Sequence, residues 1–260
     1  MVKIMGILNV TPDSFWGSSR VTADTAVEHA LRMLEEGVDI IDVGAVSTRP
    51  GAAEVSPDEE WMRLEPVLEA LLPALPGRTY PCLSIDTTSS FVASRVFDVF
   101  GPFMVNDISA GKDDPELLGF VAEKGLPYVA MHKRGNSRTM DSMTDYGEEG
   151  VVNSVLRYFE EFTSVAGRYG IKDWILDPGF GFAKTDGQNL ALMDALGDFK
   201  RFGRPLLVGV ADKRFTHGCT EDYHRKAILS GADILRVHDV AAAVRTAGLA
   251  LSGSLVHRDC

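Results

Sequence analysis

Short apolar runs alternate with longer amphipathic stretches along the whole chain. The apolar runs are KIMGILN (3–9), DIIDVG (39–44), PCLSID (81–86), FMVND (103–107), PYVAMH (127–132), WILD (174–177), PLLVGV (205–210) and DILRVH (233–238). Each is short and largely hydrophobic on both faces, the pattern of a parallel strand covered on both sides. Between them, apolar residues recur at helical spacing. TADTAVEHALRMLEEG (22–37) is such a stretch, with Thr22 or Asp24 to cap it and Gly37 to stop it. SPDEEWMRLEPVLEALL, DPELLGFVAEKG and EEGVVNSVLRYFEEFTSVAGRYG repeat the theme. Eight strands, each followed by a helix, within 260 residues predict a (β/α)8 TIM barrel, one domain over residues 1–260. A doubly wound open sheet is the alternative reading of the same pattern.

The polar residues are unevenly distributed over this frame. Asn9 ends the first run, Asp42 lies near the end of the second, and Asp86 ends the third. Asn106 and Asp107 end the fourth, His132 the fifth and Asp177 the sixth; Lys213 follows the seventh, and Arg236 and His238 end the eighth. The strand starts carry nothing comparable, and in a barrel of this kind active sites form at the C-terminal rim. Singly, an aspartate or asparagine after a strand caps a helix or forms a turn, which is the reading given to Asp42, Asp107 and Asp239. All eight ends doing so at once is a poor account. Arg236 and His238, two residues apart on a strand, share one face. They either pair with a carboxylate such as the nearby Asp239 or await an anion.

The loops extend the picture. NVTPDSFWGSSR (9–20) and AVSTRPGAAEVSPDEE (45–60) are long and rich in Ser, Thr, Gly and Pro, as functional lids often are. DPGFGFAKTDGQN (177–189) interleaves Phe180 and Phe182 with glycines, and such rings can stack on a flat ligand. Its glycine spacing is not that of a dinucleotide fingerprint.

Charge narrows the partners. A net charge of −11 and a pI of about 5.0 disfavour nucleic acid and anionic membranes, so any anion site must be a local cluster of cations. No apolar run reaches the ~18–20 residues of a membrane helix, and the N-terminus does not read as a signal peptide. The sparse Cys82, Cys219 and Cys260 fit a reducing cytosol, so the expected location is cytoplasmic. His217, Cys219 and His224 match no common zinc spacing.

The motifs GILNVTPDSF (6–15), IDVGAVSTRPGA (41–52), SIDT (84–87), VNDISAG (105–111), DPGFGFAKT (177–185), the Lys213 turn and GADILRVHDV (231–240) together resemble the dihydropteroate synthase family, in one colinear order over nearly the whole chain. The resemblance implies a folate-pathway transferase. It would join p-aminobenzoate to a dihydropterin methyl diphosphate and release pyrophosphate. Asp86, Asn106 and Asp177 would hold the pterin edge, with Lys213 beside them and Phe180 against the ring. Arg236 and His238 would grip the diphosphate, and Asn9 would position it through Mg²⁺, held mainly by the substrate phosphates. Lys213, Arg236 and His238 would thus be the catalytic group. Phe15, Thr48 and Arg49 would close over p-aminobenzoate, where sulfonamides compete, with Arg214 as a further carboxylate contact. A homodimer is also implied.

Three departures from the resemblance stand out. The turn after the seventh run reads VADKRF (210–215), placing Asp212 before Lys213 and Arg214 after it; WGSSR (16–20) lacks acidic and paired-glycine residues; and the stretch from Lys213 to Arg236 is short. Two rival readings follow: a methyltetrahydrofolate-dependent methyltransferase on the same pterin-binding fold, and a non-catalytic pterin-binding relative. On the synthase reading, Arg236→Ala should cripple turnover and barely alter the melting temperature.

Overall fold

The structure, a computed structural model, describes residues 2–10, 23–47, 54–75, 83–136 and 138–252. Its strands are β1 (Lys3–Asn9), β2 (Ile40–Gly44), β3 (Leu83–Asp86), β4 (Met104–Asp107), β5 (Tyr128–Met131), β6 (Trp174–Asp177), β7 (Leu207–Val208) and β8 (Ile234–Val237). All neighbouring pairs are parallel, in the order β6-β5-β4-β3-β2-β1-β8-β7. A parallel bridge between Leu176 and Leu206 brings the two ends of that order together, so the sheet closes into a barrel and the open-sheet alternative falls away.

The helices are α1 (Ala23–Glu35), α2 (Pro57–Leu71), α3 (Ser90–Phe100), α4 (Glu116–Lys124), α5 (Gly150–Tyr169), α6 (Asp186–Asp194), α7 (Thr220–Leu229) and α8 (Val240–Ser252), one after each strand. Local chemistry sets several of their starts. Ser56 caps α2 by accepting from the Glu59 N–H at 3.2 Å, and Thr185 and Gln188 form a reciprocal capping box on α6. Thr22 lies outside the described residues, and Asp24 falls in the first turn of α1 rather than before it. The run PLLVGV shrinks to two strand residues, Leu207 and Val208, with Pro205, which has no N–H to donate, lying before them.

Pleating sorts the strand side chains into two populations. Leu8, Ile41, Val43, Ile85, Val105, Ala130, Trp174, Leu176, Val208, Leu235 and Val237 point outward and form one continuous core with the helices. Met5, Ile40, Met104, Val129, Ile175, Leu207 and Ile234 point inward and form a separate apolar floor inside the barrel. No helix among the described residues is long and apolar enough to cross a membrane.

Candidate active site

The residue two places beyond each floor position faces the same barrel interior. From Ile40 this gives Asp42, from Met104 Asn106, from Ile175 Asp177, and from Ile234 Arg236; from Met5, Val129 and Leu207 it gives Ile7, Met131 and Gly209. Four strands therefore change from apolar to charged or amide within one pleat. Above this layer opens a cleft of about 90 Å³, lined by Ile7, Asp86, Asn106, Met131, Asp177, Phe182, Lys213, Arg236 and His238 among others. Asp177 and Arg236, on strands separated by β7, share this one cavity.

Asp42 sits at the electrostatic centre. Fully buried, it accepts from Ser84 Oγ at 2.6 Å, from Asn106 Nδ2 at 3.0 Å and from Arg236 Nε at 2.7 Å. Arg236 Nη2 donates to Asp86 Oδ2 at 2.7 Å, so one guanidinium bridges two carboxylates. Burial works against the Arg236 charge, but Asp42 and Asp86 outweigh it and raise its pKa further. Burial pushes the Asp86 carboxyl up to about 7 despite Arg236, with Asp42 adding repulsion. Asp177 is raised by burial to about 6, opposed by the Gly179 N–H that donates to its Oδ1 at 2.8 Å and by Arg236. Gly44 leaves room for this arrangement, since a Cβ there would stand 3.2 Å from that of Asp86.

Two expectations change here. Asp42 is neither cap nor turn former but the buried hub of the cluster. Asp239 does not pair with Arg236; it accepts from the Ala242 N–H at 2.8 Å and caps α8. Asp107 does act locally, accepting from the Ser109 and Gly111 N–H groups and from Tyr128 Oη.

The turn after β6 is held by Lys184, which motif reasoning passed over. Its buried Nζ lies 2.8 Å from Gly179 O, 3.0 Å from Phe182 O and 3.0 Å from His132 Nδ1. Three acceptors match the three N–H bonds of an ammonium group, although burial pulls its pKa down to about 7. Burial and the neighbouring Lys184 likewise hold the His132 imidazole well below its usual range, so its Nδ1 is free to accept. This clamp positions the two phenylalanines differently. Phe180 is buried and stacks on Phe215 at 6.0 Å, and it contributes to the lining of the cleft. Phe182 faces the opening, with Lys213 Nζ 4.6 Å from its ring centroid. Gly181, at φ +80°, allows this, because a Cβ would come within 2.8 Å of Lys213 Cδ.

The remaining expected residues are more dispersed. Asn9 ends β1 opposite Gly44, half-buried, outside the lining of the cleft. His238 lines the cleft, with its Nε2 3.9 Å from Asp212 Oδ2. Arg214 is exposed and pairs with Asp186 at 3.2 Å rather than with Asp212. Phe15, Thr48 and Arg49 lie outside the described residues. A second cleft of about 210 Å³ adjoins the first and shares Asp86, Ile108 and Phe182 with it. It also contains Glu60, whose burial raises its pKa to about 7. Among the described residues no group of three or more His, Cys, Asp or Glu side chains could hold a metal.

The geometry has clear relatives. A family model described as pterin binding enzyme matches residues 5–245. The dihydropteroate synthase of Synechocystis sp. is 42% identical over 92% of this chain and 86% of that protein, and that of Escherichia coli K12 is 40% identical over 93% and 88%. Among solved structures, a Yersinia pestis dihydropteroate synthase in a sulfonamide drug complex is similar with a TM-score of 0.88, at 34% identity over 97% of this chain and 94% of that one. The Xanthomonas albilineans dihydropteroate synthase with 4-aminobenzoic acid gives 0.85, at 36% identity over 98% and 94%. A closed eight-stranded barrel with carboxylates, an amide and cations around one rim cavity thus comes with sequence likeness over nearly its full length, and the chain belongs to the pterin-binding enzyme family.

Proposed function

We propose that this protein is a dihydropteroate synthase. It joins p-aminobenzoate to 6-hydroxymethyl-7,8-dihydropterin diphosphate, with release of pyrophosphate, in folate biosynthesis. The observation that carries this reading is that Asp177 and Arg236 line the same cleft, together with Asn106, Lys213 and His238.

A pterin presents a planar edge of N–H donors and ring acceptors. Asp86, Asn106 and Asp177 provide the complementary edge, and a carboxylate can accept two adjacent N–H bonds. Phe182 offers a ring face beside them. The diphosphate then extends toward Lys213, Arg236 and His238. Because Arg236 already serves Asp42 and Asp86, its part is shared: it fixes Asp86 for the pterin and presents the rest of its charge to the phosphates. The C–O bond to the departing pyrophosphate is largely broken before the arylamine attacks, and these cations stabilise the charge that develops on the leaving oxygen. No covalent nucleophile is required; orientation and charge stabilisation do the work.

Asn9 offers a hard oxygen at the same rim, and the described residues around it provide no carboxylate cage. That donor set fits Mg²⁺ held mainly by the substrate phosphates, with Asn9 as the protein contribution. The bound ion would neutralise phosphate charge. Phe15, Thr48, Arg49 and Arg214 are the candidates for the acceptor and for sulfonamides. Cations around the cleft favour a diphosphate substrate over a methyl donor, which needs no such grip. We further expect a cytosolic homodimer that binds no nucleic acid. Its apolar contact would use Leu229 on α7, 67% exposed, and Leu249 on α8, and sedimentation tests it.

The deciding experiment incubates the protein with Mg²⁺, the dihydropterin diphosphate and p-aminobenzoate. Dihydropteroate and pyrophosphate should appear together. Tight pterin binding without product would favour the non-catalytic relative, and methyl transfer to a corrinoid would favour the methyltransferase.

A further inference from the structure

The larger cleft holds a carboxyl group that the reaction as described leaves without a task. Glu60 lies on the buried stripe of α2 with Leu64, Val67, Leu68 and Leu71, and is only 6% exposed. Its Oε1 has no hydrogen-bond partner among the described residues; the Thr87 hydroxyl bonds the carboxyl and the Arg63 charge acts on it from a distance. Arg63, three residues on, is taken up by Glu59 at 2.6 Å and by the Ala45 carbonyl at 2.9 Å. Burying a carboxyl this way is unfavourable unless something else fills the vacant acceptor position.

Its location indicates what that is. The two clefts share Asp86, Ile108 and Phe182 as a common wall, but their charges differ. Lys213, Arg236 and His238 line the smaller one, whereas Glu60 lines the larger. Ser47 and Glu54, which flank the segment carrying Thr48 and Arg49, also line the larger cleft. With Lys213, Arg236 and His238 holding the departing diphosphate in the smaller cleft, the adjoining cleft that contains Glu60 is the space left for the arylamine to approach the methylene.

We propose that Glu60 is the base of the reaction: it accepts a hydrogen bond from the arylamine N–H and takes that proton as the new bond forms. This inference rests on the synthase reading above. The nitrogen lone pair forms the C–N bond to the methylene carbon, and the C–O bond breaks with its electron pair leaving on pyrophosphate. One N–H proton passes to Glu60, which later releases it to water. A carboxyl raised to about 7 is well placed for this at neutral pH. The charged groups facing it are Asp86 from β3 and Arg63 on its own helix, with Glu54, Asp113 and Lys133 along the cleft.

The test compares wild type, Glu60→Gln and Glu60→Asp for dihydropterin diphosphate affinity by calorimetry and, at saturating dihydropterin diphosphate so that Asp86 and Asp177 are already engaged with the pterin, for arylamine kcat/KM between pH 5 and 9. Wild type should show a rise with a midpoint near 7. Glu60→Gln should lose that rise and fall about 10²-fold at pH 8, while binding the pterin within twofold of wild type. Glu60→Asp should retain the rise and recover part of the rate, which a merely structural role would not produce. Activity of Glu60→Gln within threefold of wild type across the range overturns the proposal, as does a pH rise that survives the substitution or pterin affinity that falls in step with turnover. A wild-type protein that makes no dihydropteroate overturns the synthase reading itself, and the proposal with it.

Discussion

Two inward-facing layers of the same barrel, one pleat apart, do opposite things. The floor of Met5, Ile40, Met104, Val129, Ile175, Leu207 and Ile234 is entirely apolar and nearly sealed from water. The layer above it buries Asp42, Asn106 and Asp177 with Arg236 among them. The floor stabilises the barrel by removing hydrocarbon from water. The upper layer would lose stability if its charges were not paired, and its pairing is incomplete: the Asp42 and Asp86 carboxyls share the single Arg236 guanidinium. Activity is assigned to the layer that works against stability, and the floor supplies the rigidity that tolerates it.

Substitutions in the two layers should therefore separate activity from stability. The largest effect belongs to Arg236→Ala. It should lower turnover by roughly 10²–10³-fold and stability by about 3–5 kcal/mol, because Asp42 and Asp86 lose the cation between them. Steady-state kinetics and denaturant unfolding read the two effects. The stability loss replaces the expectation of an unchanged melting temperature, which treated Arg236 as a free anion grip. Ile175→Ala in the floor should cost about 2–5 kcal/mol in unfolding experiments and leave turnover per folded molecule within twofold. If turnover fell as far as stability, the two layers would not be separable.

Glu60 sharpens the contrast by pH. Its folded pKa of about 7 lies above the ordinary 4.5, so the native state holds a proton that the unfolded chain releases between those values. Its contribution to stability is thus greatest below about 4.5 and falls as pH rises toward 7. Glu60→Gln should remove that decline, gaining about 2 kcal/mol at pH 8 in pH-dependent unfolding. The smallest effect lies outside the barrel. His224 on α7 is buried with neither ring nitrogen bonded among the described residues, and burial lowers its pKa to about 4. Here the unfolded chain binds the extra proton, so stability is lost as pH falls from 6.5 toward 4. His224→Phe should abolish that loss and raise the melting temperature at pH 5 by a few degrees, corresponding to about 1 kcal/mol.

Much of this was legible in the amino-acid order because the barrel writes its period plainly. WILD and KIMGILN coincide with β6 and β1 residue for residue. The polarity of the strand ends was visible too, since Asp86 and Asp177 close hydrophobic runs and Asn106 and Arg236 fall within two residues of the ends of theirs. What pairing does with those charges was not. Asp42 reads as a local cap because its partners lie 42, 64 and 194 residues away. Lys184 hides in a loop whose glycines and phenylalanines draw the eye. Glu60 reads as one of three acids in the first turn of α2, where the helix dipole favours them. Its signal was positional: it falls four residues before Leu64, on the apolar stripe.

The central claim is that the polar layer above the floor is the pterin-holding surface. Calorimetric titration of dihydropterin diphosphate into wild type and Asp177→Asn tests it directly, since the asparagine can still accept from the Gly179 N–H and keep the turn in place. Saturable single-site binding in wild type, weakened roughly 10–100-fold in the variant at unchanged melting temperature, is the predicted result. Equal affinity in the two proteins would contradict it.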